Sequence, residues 1–300
     1  MSYHEPVMLK ECIEGLNIKP DGVYADLTFG GGGHSREILK HLTTGHLYGF
    51  DQDADAKEQA EQIKNSSFAF IQANFRYLKR FLKLNGVREL DGILADLGVS
   101  SHQIDAAERG FSTRFDAALD MRMDRDAPKT AAQVLNEYSE AELHKIFGMY
   151  GEVKNAKSLA AAVIRARTNG RLATVEDFRK VLIPLAPKGR ENKYMAQVFQ
   201  AVRIEVNDEL KALEEMLVQA GELLKPGGRL VVMSYHSLED RLVKNYINKG
   251  KFFGEIEKDV YGHFYKPLEA VNKKPIEASA EEVERNRRAR SAKLRIAEKV

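Results

Sequence analysis

The sequence predicts an α/β protein: a parallel, doubly wound sheet interrupted by a long helical stretch. Three observations predict it. Short β-favouring apolar runs alternate with helical patterns over the first hundred residues. Four consecutive glycines, Gly30 to Gly33, stand between the first of those strands and a helix start. The alternation stops near Arg109 and returns only at Arg229 to Ser234.

Taken in order, Val7 to Leu16 reads as a lead-in helix, and Asn17 with Pro20-Asp21-Gly22 as the turn that follows. Val23, Tyr24, Ala25 and Leu27 form a buried strand, and Ser35 to Leu39 opens a helix. His46 to Phe50 is a second strand ending in Asp51; Ala54 to Lys64 is a helix with exposed charges. Phe68 to Ile71 is a third strand leading to Asn74-Phe75, Tyr77 to Leu84 is helical, and Asp91 to Gly98 is a fourth strand. From Arg109 to Asn207 the pattern is helical throughout, with a capping box at Ser139–Glu142 and a variant at Thr174–Asp177. Leu210 to Leu224 is an amphipathic helix that Lys225-Pro226-Gly227-Gly228 breaks, and Arg229 to Ser234 is the fifth strand. Gly250 to Ala278 reads as irregular, and the alternating Ala292 to Ala297 as an edge strand of the same sheet. The resulting domains are 1–107 with 206–300 for the sheet, and 108–205 for an inserted helical domain that recognises substrate.

A strand, a glycine turn and a helix start bring backbone N–H groups close to a ligand that side chains would block. Asp51 lies at the distance from Gly30 where an acidic residue ends the second strand and accepts from both hydroxyls of a ribose. Asp26 adds a carboxylate four residues ahead of Gly30. An anion there repels a dinucleotide pyrophosphate and suits a cation, such as the sulfonium and ammonium groups of S-adenosylmethionine. The D-x-x-x-G-x-G spacing of Asp26, Gly30 and Gly32 resembles the first motif of class I methyltransferases. Against this stand a ligand-free structural turn and an NAD-dependent oxidoreductase, which shares the glycines and Asp51. Asp26 and the lack of a hydride-transfer constellation weigh against the second. In doubly wound sheets ligands sit beyond the strand C-termini, and Asp26, Asp51, Phe75, Asp96 and Gln103 all fall at or just after those ends.

The 300 residues, 43% hydrophobic and 30% charged, describe an ordinary globular chain. No apolar run approaches the roughly 20 residues of a membrane span, and Met1 to Pro6 shows no signal-peptide pattern. The single cysteine, Cys12, excludes internal disulfides and a cysteine zinc cage, as expected of a cytoplasmic protein without a resident metal. Net charge is +2, but Gly151 to Lys193 holds ten Lys or Arg against four acids, leaving +6 there and −4 elsewhere. Such segregation points to a polyanion, with a basic solubility surface as the bland alternative.

Several blocks carry a closer resemblance: Thr28 to His34, Asp96-Leu97-Gly98-Val99-Ser100-Ser101, Glu108-Arg109-Gly110-Phe111-Ser112, Leu119 to Asp124, Phe199 to Ile204, Ser237-Leu238-Glu239-Asp240-Arg241 and Arg288 to Arg295. Over nearly the whole chain these resemble the bacterial small-subunit rRNA (cytosine-N4)-methyltransferases, the RsmH or MraW family. The resemblance implies a class I (Rossmann-like) S-adenosylmethionine-dependent methyltransferase sheet with an inserted all-helical domain. It implies methyl transfer to the exocyclic N4 of one cytidine in the decoding region of 16S rRNA, within the small ribosomal subunit, with homodimerisation left open. Family cofactor contacts carry over to Gly32, Gly33, His34, Asp51, Phe75, Asp96 and Gln103. One departure is His102, where the family has proline.

Cytosine N4 is a poor nucleophile because its lone pair is delocalised into the ring, so the enzyme must align the reacting atoms and offer acceptors to the N–H hydrogens. The (Asp/Asn/Ser)-Pro-Pro-aromatic motif that other amino-methyltransferases use here is absent; Asp96-Leu97-Gly98-Val99 takes its place. Asp96, with Ser100 or the adjacent backbone carbonyls, supplies the acceptors in one reading; in the other, Asp96 only orients the methionine amino group. His236 is a candidate proton acceptor, a contact to the flipped base, or a packing residue, and Tyr235 a candidate platform for the extruded base. Arg165, Arg167 and Arg171 are expected on RNA phosphates. The Arg109 to Arg125 stretch is open between an ordering role and structural salt bridges. A non-catalytic RNA-binding factor retaining the same shell is the remaining alternative.

Overall fold

The computed structural model describes residues 6–300 except Glu257, Asp259, Val260 and His263. Met1 to Glu5, and part of the stretch expected to be irregular, therefore lie outside the described residues. The chain packs as two compact units, Met1–Gly98 with Leu210–Val300, and Val99–Glu209. The second begins before residue 108 and ends after residue 205, the limits expected of the inserted domain.

In the first unit, helix α1 (Leu9–Leu16) precedes β1 (Val23–Asp26), α2 (Gly33–Lys40), β2 (His46–Asp51), α3 (Asp55–Glu61), β3 (Phe68–Gln72), α4 (Leu78–Leu84) and β4 (Leu90–Asp96). The second unit holds α5 (Ser101–Asp105), α6 (Ala131–Glu137), α7 (Glu140–Met149), α8 (Ala156–Asn169), α9 (Val175–Leu182) and α10 (Glu191–Asn207). The chain then continues with α11 (Glu209–Leu223), β5 (Leu224–Ser234), α12 (Ser237–Lys249), β6 (Leu268–Ala270), β7 (Ile276–Glu277), α13 (Ala280–Arg285) and β8 (Lys293–Lys299).

The eight strands form one sheet in the order β3-β2-β1-β4-β5-β8-β6, with β7 also paired to β8. The first five are parallel, and β8 runs antiparallel to β5. Strand order reverses between β1 and β4, the switch point at which such sheets open a crevice beyond their C-terminal ends. The parallel strands are buried on both faces, and alternate residues serve different cores. Ile93, Ala95, Leu230 and Val232 pack with Leu213, Leu217 and Leu242. Leu94, Val231 and Met233 pack on the opposite side with Met8, Cys12, Leu16 and Ile38. Each such aliphatic side chain contributes about 1.5–3 kcal/mol by leaving water.

Three expectations change. Strand β8 is not an edge, because β6 pairs along its outer side. The stretch expected to be irregular contains β6 and β7; strands of three and two residues are too short to show alternation. Lys225 to Gly228 lies within β5, where Leu224 faces Leu90 and Arg229 faces Gly92. The extra residues bulge opposite Asp91, whose carboxylate holds Lys225 Nζ at 2.7 Å.

The second unit has its own core, with Val134, Phe147, Leu159, Val163, Phe178, Val198 and Val202 at its centre. Among its described residues there is no strand, only an isolated bridge between Ala118 and Thr174. The capping boxes expected at Ser139–Glu142 and Thr174–Asp177 are both formed, each contributing about 1 kcal/mol. Of the Arg109 to Arg125 stretch, Arg109 donates to the carbonyls of Arg122 and Met123, and Arg122 pairs with Asp120 at 2.8 Å, so both are structural.

Candidate active site at the strand tips

The site is built on the ends of β1, β2, β4 and β5. Asp26 closes β1 and is 1% exposed. Ser35 Oγ donates to its Oδ2 at 2.6 Å and the Thr28 N–H to its Oδ1 at 3.2 Å. Both oxygens are thus spent on tying the glycine turn to α2. The carboxylate expected to face a cation instead stands behind the turn. Burial pushes its pKa up to about 6, against those two bonds.

The turn is glycine by necessity. Gly32 has φ +74°, and a Cβ there would lie 2.6 Å from Phe29 Cζ; one on Gly33 would overlap the Pro6 ring. Phe29 anchors the turn against Phe68 and Phe70, with ring centroids 5.6 and 5.3 Å away. No side chain caps the start of α2, the kind of helix N-terminus that favours an anion. The His34 ring itself is buried, with Nε2 3.1 Å from the Val7 carbonyl.

Asp51, at the tip of β2, accepts from Gly30 N–H at 2.8 Å and Asp53 N–H at 2.9 Å. Asp96 ends β4; its N–H donates to Thr28 Oγ1 at 2.6 Å and its Oδ1 accepts from the Tyr235 hydroxyl at 2.7 Å. Both carboxylates are half-buried, so unlike Asp26 they keep a surface a ligand can touch. Desolvation pushes each up to about 6; at Asp96 the His34 ring and the Tyr235 hydroxyl oppose it. The same burial, with Asp96 beside it, pushes Tyr235 well above an ordinary phenol and keeps it a donor. Phe75 opens a 3₁₀ turn just past β3, next to the β2 tip, and packs against the first core.

Three of the candidate side chains also cap helices. Ser100 and Gln103 cap α5: Ser100 Oγ accepts from Gln103 N–H at 3.1 Å, and Gln103 Oε1 accepts from Ser100 N–H at 3.0 Å. The Ser100 hydroxyl keeps a second lone pair for a ligand, and Gln103 is 5% exposed. His236 caps α12; its Nδ1 accepts from Glu239 N–H at 3.4 Å, and its Nε2 lies 3.1 Å from Glu239 Oε1. The Tyr235 hydroxyl is held by Asp96, which fixes the ring as part of the site wall.

Of the expected phosphate ligands, Arg165 and Arg171 are exposed, but Arg167 Nη1 donates to the carbonyls of Leu135 at 3.2 Å and Tyr138 at 2.6 Å. It closes the C-terminal end of α6. Arg167→Ala should cost about 1.5–3 kcal/mol of stability and leave the salt dependence of RNA binding unchanged. Thermal unfolding and titrations at two salt concentrations check both parts.

Sequence reasoning missed Thr28 and Ser35. Both follow Asp26 within nine residues, but Thr28 acquires its role only because β1 and β4 are neighbours.

The profile of the MraW methylase family matches residues 1–300. The chain belongs to that family. The ribosomal RNA small subunit methyltransferase H of Cytophaga hutchinsonii is 60% identical over 297 residues, covering 99% of each chain. That of Christiangramia forsetii is 56% identical over 301 residues, covering 100% of this chain and 99% of its own. An rRNA methylase structure from Streptococcus thermophilus aligns over 97% of this chain and 93% of that one at 13% identity and a TM-score of 0.40, too remote to bear on the site. In this methylase, then, the carboxylates of Asp51 and Asp96 and the uncapped start of α2 all stand at the C-terminal ends of the parallel strands, beside the switch point of the sheet.

Proposed function

We propose that this methylase transfers the methyl group of S-adenosylmethionine to the exocyclic N4 of a cytidine in the decoding region of 16S rRNA, within the small ribosomal subunit. The observation that carries the reading is Asp96. It is a half-buried carboxylate at the sheet's switch point, with Oδ1 held by Tyr235 and with no hydrogen bond to Oδ2 among the described residues. The names of the relatives, rRNA small-subunit methyltransferases, support the substrate class.

The residues fit the donor: two accessible carboxylates favour its cationic groups, and the uncapped helix start at Gly33-His34 offers N–H groups to its carboxylate. Asp51 would accept from the ribose hydroxyls and Phe75 would flank the adenine. When bound, the donor supplies an electrophilic methyl on a positively charged sulfur. Asp96 Oδ2 accepts from an N4–H, localises the nitrogen lone pair and takes the proton released as the N–C bond forms. Tyr235 donates to the other oxygen and keeps the carboxylate from turning away. The unit Val99–Glu209, carrying Arg165 and Arg171, recognises the RNA through its backbone. Such a substrate places the work in the cytoplasm.

The test is mass mapping of 16S rRNA from cells with and without the active protein. One decoding-region cytidine should lose a methyl at N4 in the absence of the protein. An unchanged map would overturn the assignment.

A further inference from the structure

The nine residues from Arg285 to Lys293 contain Arg285, Arg287, Arg288, Arg290 and Lys293 and no acid. The topology gives this run a definite place. Strand β8 pairs antiparallel with β5, and Lys293 stands opposite Ser234. The chain therefore enters β8 at the end where β5 delivers Tyr235 to Asp96. The 3₁₀ turn Arg287–Ser291 immediately precedes it and so lies at the rim of the strand-tip site.

The turn is anchored, not loose. Ala289 and Ala292 are 1% and 2% exposed and share a core with Met8, Cys12 and, at its margin, Tyr235. Asn286 Oδ1 caps the turn by accepting from Arg288 N–H at 3.2 Å. Glu282 Oε1 accepts from Met8 N–H at 2.6 Å, which pins α13 to the start of α1. On this rigid support Arg287 and Arg290 are exposed and Lys293 half-exposed.

The side-chain cations of these three enter no ion pair among the described residues. Arg295 and Arg76 of the same unit show the opposite: Arg295 pairs with Asp240 at 2.7 Å, and Arg76 with Glu215 at 2.7 Å. A surface merely solvated for solubility has no reason to fix its unpaired guanidinium groups on buried alanines beside a catalytic crevice. Guanidinium forks on a rigid base match phosphate oxygens.

We infer that Arg287, Arg290 and Lys293 grip the phosphates flanking the target cytidine and hold that strand at the rim while its base is out of the stack. The inference rests on the rRNA reading above and adds to it a second RNA contact, in the sheet unit, separate from Arg165 and Arg171.

The test compares the full-length wild type with Arg287→Gln/Arg290→Gln and with Arg287→Lys/Arg290→Lys on small ribosomal subunits lacking the modification. The glutamine pair should raise KM for the particle on the order of tenfold or more, with kcat and the heat of S-adenosylmethionine binding unchanged. It should also flatten the slope of log affinity against log salt by about one to two units, as expected for two lost phosphate contacts. The lysine pair should restore most of the slope. Unchanged KM and slope in the glutamine pair, with a wild type that methylates the particle, would overturn this inference alone. A wild type that methylates no RNA would overturn the rRNA reading and this inference with it. A fall in donor binding or thermal midpoint in the glutamine pair would assign the arginines to the fold and overturn it too.

Discussion

Asp96→Asn should leave S-adenosylmethionine binding within about tenfold of the wild type and lower kcat at saturating donor by about a hundred- to a thousandfold. Asparagine keeps the shape of the carboxylate, and its oxygen can still accept from the Tyr235 hydroxyl, which lies 2.7 Å from Oδ1 in the native protein. What changes is the second atom, which becomes an N–H₂ donor facing the nitrogen to be methylated. Two donors then oppose each other where the reaction needs an acceptor, and the leaving proton has no base. Asp96→Ala should match it in kcat while also releasing Tyr235. The competing role, orientation of the donor's amino group, predicts the reverse: the heat of donor binding vanishes, and turnover at saturating donor is near normal. Calorimetry and single-turnover methylation on the same preparations decide between them.

Donor affinity should be greatest above about pH 7 and fall as pH drops through 6. Without a ligand, Asp51 and Asp96 are each pushed up to about 6. A cationic ligand favours their ionised forms, so binding lowers both values and expels protons. Below pH 6 the donor must displace those protons first. At pH 5 each carboxylate is protonated about ten to one, so affinity should fall between about ten- and a hundredfold from its plateau. Asp26, also near 6 and sealed behind the turn, couples to both, so the midpoints belong to the cluster as a whole. The same linkage means that saturating donor should raise the thermal midpoint more at pH 8 than at pH 5. A donor affinity flat from pH 5 to 8 would refute the assignment of these carboxylates to the donor site.

Local signals carried much of the site. Asp26, the glycines and Asp51 sit in one strand–turn–helix–strand unit, where spacing alone dictates which groups meet. The polar candidates just past the later strand ends share a different trait. Ser100 with Gln103, and His236 with Glu239, stand three apart at helix starts, where the same polar atoms that suit catalysis also suit orphan backbone N–H groups. Read in isolation, a Ser or His after a strand end fits either task. The backbone takes the side chain because an unpaired N–H in the interior is costly.

The five parallel strands, the glycine turn with its acidic partner and the helical character of the middle stretch were decided by the sequence alone, through short-range periodicity and backbone freedom. Only the tertiary structure decided the rest. The Thr28 and Tyr235 bonds to Asp96 join residues 68 and 139 positions apart, and exist because β1, β4 and β5 are neighbours. The covering of β8 by β6, and the placing of the arginine turn at the site's rim, follow from the antiparallel pairing of β8 with β5. Pairing depends on which apolar faces bury each other across the whole chain, and a hydrogen bond between distant residues leaves no periodic mark at either end.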